Sequence, residues 1–133
     1  MSETVVEHVV STNSQSLSAV ATIFNRIVMA TTVPRRSSDS YGSPSSFELG
    51  DIVAQSEVTL GNLKSDLEKA GSSMADVLHL TIYLTDMTDW AGFNDVYQRH
   101  FPKPYPVRAA ICVKALAIEG MRVEVTAIAA RNV

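Results

Sequence analysis

The sequence predicts an α+β fold, a mixed β-sheet with two helices packed on one of its faces. Three observations carry the prediction. Two stretches, Asp51–Ala70 and Asp89–His100, show helical period in the middle of the chain. A strand-like run, Val77–Leu84, lies between them, and two more, Val107–Val113 and Val123–Ala130, follow the second. The order is therefore strand, strand, long loop, helix, strand, helix, strand, strand, with each helix inside a strand-to-strand connection. At 133 residues, 46% hydrophobic and 19% charged, the chain 1–133 reads as a single globular domain with a real core.

Taken in order, Val5–Val10 reads as a short first strand and Ser11–Ser18 as a polar turn around Asn13-Ser14-Gln15. Ile23–Val33 (IFNRIVMATTV) reads as one strand, dominated by β-branched residues and ended by Pro34. Arg35–Ser46 is rich in Ser, with Gly42 and Pro44, and is expected to be a surface loop. In Asp51–Ala70, Val53, Leu60, Leu63 and Leu67 recur at helical spacing, with Lys64, Glu68 and Lys69 opposite, and Gly71 is the expected stop. Val77–Leu84 alternates, Leu78, Leu80, Ile82 and Leu84 facing one way and His79, Thr81 and Tyr83 the other. Thr88 is the expected N-cap of Asp89–His100, where Trp90, Phe93 and Tyr97 form an apolar stripe. The Pro-rich run 101–106 ends that helix. Thr- and Ala-rich strands on the sheet's second face suggest burial against other subunits.

Composition narrows the function classes. A net charge of −3 and a pI near 5.5, with no basic run beyond Arg35-Arg36, argue against a nucleic-acid partner. One cysteine, Cys112, excludes an internal disulfide framework and suits a reducing compartment. The opening MSETVVEHVV has neither a basic start nor a long apolar core, and no apolar run reaches membrane-span length. The expectation is a soluble, cytoplasmic protein with no membrane partner. His8, His79 and His100 are scattered and make no metal-spaced pair.

Two charges stand out because each lies inside an apolar strand, Arg108 in Val107–Val113 and Glu124 in Val123–Ala130. Such a charge is costly to bury unless it is paired or meets a ligand. On the residues alone two readings stand: a structural ion pair across adjacent strands, or a carboxylate clamp at Arg108 with Glu124 beside it. Cys112 shares strand parity with Arg108, although a lone cysteine in such a strand is ordinarily a small buried hydrophobe.

The combined motifs resemble the Rid family of imine/enamine deaminases, also called the YjgF family. The resemblance runs from about Gly50 to Ala130, through 50–55 (GDIVAQ), 61–64 (GNLK), 67–71 (LEKAG), 83–87 (YLTDM), 93–97 (FNDVY), 106–108 (PVR) and 123–128 (VEVTAI). It implies a trimer of chorismate-mutase-like α+β subunits with clefts between them. It also implies that Arg108 clamps a substrate carboxylate, that Glu124 positions a water to attack an imine carbon, and that Asn94 lies close by. The product would be a 2-oxo acid plus ammonia, with no metal or organic cofactor.

Several positions depart from the family pattern. Asn13 stands where a tyrosine is usual, Ala30-Thr31-Thr32 replaces Ser-Gly-Gln, and Ala110 stands where many members carry cysteine. The substrate-binding set expected is thus Arg108, Asn94, Ala30, Thr31 and Ala110, with Glu124 catalytic. Two alternatives follow from the departures: a carboxylate-binding or regulatory protein without turnover, and a pathway enzyme of this fold with different carbonyl or enol chemistry.

Overall fold

The computed structural model describes residues 5–12, 17–36 and 47–132. The expected turn at Asn13-Ser14-Gln15 and most of the Arg35–Ser46 loop lie outside the described residues. The elements in order are β1 (Val6–Val9), β2 (Ala21–Phe24), β3 (Ile27–Thr32), α1 (Ile52–Lys69), β4 (Val77–Leu84), α2 (Trp90–His100), β5 (Val107–Cys112) and β6 (Val123–Ala130). All six strands form one sheet in the order β1-β2-β3-β6-β4-β5. Only the β4–β5 pair is parallel, so the sheet is mixed as expected.

The expected single strand over Ile23–Val33 is instead a hairpin. Phe24 pairs with Ile27 across a two-residue turn, and Asn25 takes a left-handed φ of 55°. Asparagine tolerates that conformation, as tight hairpin turns demand. The turn is Asn-Arg rather than Asn-Gly, so the β-branched run on either side reads through it.

Helix α1 begins where Asp51 Oδ1 accepts from the Ala54 N–H at 2.9 Å. It ends at Gly71, whose φ of 81° allows Ser72 N–H to reach the Leu67 carbonyl and Gly71 N–H the Glu68 carbonyl. Its buried face departs from the expected stripe. Val53 is exposed, and Gln55, Ser56 and Thr59 are buried with Leu60, Leu63 and Leu67. Gln55 makes this possible by satisfying its amide fully: Nε2 donates to the Gly50 and Gly120 carbonyls, and Oε1 accepts from Arg122 N–H. It thereby ties the start of α1 to the connection entering β6.

Thr88 does not cap α2. Asp86 accepts from both the Thr88 N–H and hydroxyl, closing a 3₁₀ turn over Met87–Asp89, and Asp89 precedes the helix. Buried Asp89 receives Arg122 Nη1 on both carboxylate oxygens, at 3.0 and 3.1 Å. Glu57 of α1 bridges to Arg99 at 2.6 Å and His100 at 2.8 Å, linking the helix pair.

Both helices pack on one face of the sheet. There Leu60, Leu63, Leu67, Phe93 and Val96 meet Val28, Leu80, Ile82, Val125 and Ala127 in a single core. The opposite face carries Phe24, Ile27, Met29, Val107 and Ile111 exposed around a polar centre of Thr31, Thr126, Thr81, His79, Tyr83 and Glu124. Leu78 does not join the buried row of β4, because a register shift between Val77 and His79 turns it out and Val77 in.

Candidate functional site

Arg108 lies on the edge strand β5, opposite Leu80 of β4, and so points toward the helix side of the sheet. One face of α2 receives it. Trp90, Asn94 and Tyr97 recur at spacings of four and three residues and line up on that face. Arg108 Nη1 donates to Asn94 Oδ1 at 2.8 Å. Its guanidinium carbon stands 4.8 Å from the Trp90 ring centre and 4.3 Å from that of Tyr97. Each such contact is worth about 0.5–1 kcal/mol when exposed. Among the described residues, Nε and the second Nη have no hydrogen-bond partner, which leaves the forked edge of an exposed arginine available.

The Tyr97 hydroxyl is buried and unpartnered among the described residues, and Tyr97 stacks on Phe101 and leans on Tyr105. Burial is the larger influence and raises its phenol above the ordinary range, while nearby Arg108 pulls it down. Ala110 and Cys112 follow Arg108 on the same side of β5. Cys112 is exposed, not the buried hydrophobe that its apolar strand implies, because β5 is an edge strand whose helix-side row is left uncovered at that end.

Glu124 occupies the other face. It lies opposite Tyr83 on β6, half-buried, and burial raises its carboxyl above the ordinary carboxylate value of 4.5. Thr31 shares that face and its hydroxyl meets Thr126 at 2.8 Å. Ala30 points the opposite way, into the core, so only its backbone remains for a ligand on the Glu124 face. Thr32 is likewise buried and donates to the Thr59 carbonyl. Beside the start of β6, a cleft of about 420 Å³ is lined by Thr85, Asp86, Lys114, Leu116, Glu119 and Arg122.

The structure rules out one of the two readings of these charges, an ion pair between Arg108 and Glu124 across adjacent strands, and does not set Glu124 beside Arg108 within one chain either. Strand β4 separates β5 from β6, so the two strands are not adjacent. Arg108 is level with Leu80 and Glu124 with Tyr83, three residues along and two strand spacings across. Standard strand dimensions put their Cα atoms about 14 Å apart, with side chains on opposite faces. The structure instead groups Arg108 with Asn94 and Ala110 on one side, and Glu124 with Thr31 on the other. Trp90 and Tyr97 are the partners of Arg108 that the sequence showed only as an apolar stripe. Among the described residues, no three His, Cys, Asp or Glu side chains gather to hold a metal ion. Among the same residues, no helix is long and apolar enough to cross a membrane.

Comparison with known proteins agrees with this architecture. The family model described as Endoribonuclease L-PSP matches residues 9–131. Protein DfrA of Myxococcus xanthus is 43% identical over 88 residues, 65% of this chain and 66% of DfrA. The 2-iminobutanoate/2-iminopropanoate deaminase of Capra hircus is 37% identical over 83 residues, 62% of this chain and 60% of that protein. Both matches therefore span less than two thirds of the relative's length. The crystal structure of a YjgF/YER057c/UK114 family member from Mycobacterium tuberculosis superposes with a TM-score of 0.76 at 29% identity, covering 95% of this chain and 99% of that one. A mixed six-stranded sheet carrying two helices on one face, with the family match over nearly its whole length, establishes that this chain belongs to the YjgF (Rid) family.

Proposed function

We propose that the protein is a homotrimeric, cytoplasmic deaminase that hydrolyses a small imine bearing a carboxylate. Arg108 binds the carboxylate through its free Nε–Nη edge, and that unpartnered edge is the observation that carries the reading. Glu124 holds a water and accepts its proton as the oxygen attacks the imine carbon. Collapse of the resulting aminol expels ammonia and leaves a 2-oxo acid, with atoms balanced by one water. Imines hydrolyse readily once water and carbon are held together, so positioning supplies most of the acceleration. Burial of Glu124 supports its part, since a raised pKa makes it a better proton acceptor than an ordinary carboxylate.

Arg108 and Glu124 of one chain cannot share a substrate across the sheet. The reading therefore requires Arg108 from one copy and Glu124 from the next, which the apolar, uncovered sheet face supports as the contact between copies. The trimer follows from family likeness. The name of the goat relative supplies the first substrates to test, 2-iminobutanoate and 2-iminopropanoate.

A second reading, carboxylate capture without turnover, has its own support. The Ala110 side chain offers no polar atom, and the Thr31 hydroxyl is already shared with Thr126. One assay separates the two: ammonia and 2-oxo acid release from freshly generated imines, comparing wild type with Arg108→Ala and Glu124→Gln. Acceleration lost in both variants supports the deaminase. No acceleration, with 2-oxo acids still bound through Arg108, supports capture.

A further inference from the structure

We infer that Trp90 is a positioning residue for Arg108, fixing the plane of the guanidinium so that its free edge faces a carboxylate. The inference rests on the carboxylate-binding reading of Arg108. An exposed arginine on an edge strand has four torsions to lose, and its one side-chain hydrogen bond among the described residues, to Asn94 Oδ1, pins a single nitrogen. Pinning one nitrogen leaves the fork free to swing about it. Two ring faces remove that freedom, with centroids 4.8 Å away at Trp90 and 4.3 Å away at Tyr97.

The two rings differ in what they can contribute. Tyr97 is 2% exposed and belongs to the core, so its place is dictated by packing on Phe101 and Phe93. Trp90 is only half-buried at the first turn of α2 and presents the largest π-face available to a cation. Its own ring is held still by stacking on fully buried Phe93, 5.9 Å between centroids and 4° from parallel. The chain thus runs from core to ligand: Phe93 fixes Trp90, and Trp90 fixes Arg108. Trp90 is also the only tryptophan in the sequence, so its emission reports on this one place.

The test uses the full chain with 2-oxobutanoate as probe. Affinity is measured by titration calorimetry for wild type, Trp90→Leu, Trp90→Phe and Arg108→Ala, with circular dichroism and sedimentation as checks on fold and assembly. Removing the indole face should weaken binding about two- to fivefold in Trp90→Leu, and the smaller ring of Trp90→Phe should restore most of it. Trp90 emission should change on saturation in wild type and stay constant in Arg108→Ala. Wild-type affinity in Arg108→Ala overturns the underlying reading, whatever Trp90 does. Loss in Arg108→Ala with wild-type affinity in Trp90→Leu overturns this inference alone, as does a loss that Trp90→Phe fails to restore. If Trp90→Leu does not fold, an emission that ignores saturating 2-oxobutanoate in wild type overturns it instead.

Discussion

Two inactive variants should restore each other. Arg108 and Glu124 stand about 14 Å apart on opposite faces of one sheet, so a site using both must draw them from two copies. Arg108→Ala removes the proposed anion clamp from one variant, and Glu124→Gln removes the proposed proton acceptor from the other. In a randomly mixed oligomer prepared from equal amounts, a working site needs an intact Arg108 from a chain of the second kind. It also needs an intact Glu124 from a chain of the first kind. Each occurs with probability of about one half, so about one quarter of the sites recover in a closed ring. The variants are co-expressed under two separable tags, and the doubly tagged oligomer is assayed for ammonia release. Double tagging removes the rings made of one variant alone, and each remaining trimer holds one working site in three, so activity of about one third of wild type is expected, against a background set by each variant alone. Activity no higher than that background would refute the reasoning, because it would mean that both residues serve one site from one chain.

The other predictions are of stability and pH. Gln55→Leu strands the Gly50 and Gly120 carbonyls and Arg122 N–H, and should cost about 3 kcal/mol in urea unfolding at roughly 1 kcal/mol per lost hydrogen bond. Asp66 has its pKa raised from 3.8 to about 6, mainly by burial with Lys69 opposing. A raised carboxylate pKa disfavours the folded state once pH rises through that range, so Asp66→Asn should stabilise at pH 7 and give no gain at pH 3. The ceiling is about 3 kcal/mol, and partial exposure reduces the expected gain to about 1 kcal/mol. Glu124 must be ionised to take a proton from water, so kcat/KM should rise with pH along an acid limb lying above the ordinary value of 4.5. Glu124→Gln should abolish that limb and lower kcat about 100-fold or more while 2-oxo acid binding persists.

Much of the fold was legible because its signals are local. The helix over Ile52–Lys69 announces itself through Leu60, Leu63 and Leu67 at helical spacing and a stopping Gly71, and β6 through its short apolar run. What stayed hidden needed partners distant in sequence. Asn25-Arg26 is a weak turn signal, and the strand after it is held by β6 at the far end of the chain. Gln55 reads as a polar interruption until Gly120 and Arg122 arrive, 65 and 67 residues away, to satisfy it. Leu78 breaks its alternation because of a register shift set by β6, which no pattern within β4 encodes.

Arg108 and Glu124 were legible as two charges in apolar strands and misleading as a pair. Arg108 and Glu124 sit in the last two strands, and consecutive strands are usually neighbours, which is why a cross-strand ion pair stood as one of two readings. The sheet inserts β4 between them, so the connection over Val113–Arg122 spans an intervening strand. One half of the separation was nevertheless written in β6. Val123, Val125, Ala127 and Ala129 alternate with Glu124 and Thr126, which commits Glu124 to the face away from the core. The other half was not, because β5 reads Val-Arg-Ala-Ala-Ile-Cys with no dominant side, as an edge strand need not choose one. Its choice is made by α2, which offers Asn94 and two aromatic rings to the Arg108 side alone. Each charge is thus placed by a different constraint, one by the core and one by a helix face. The sheet that carries both keeps them apart, so any chemistry that needs them together is a property of the assembled copies rather than of the chain.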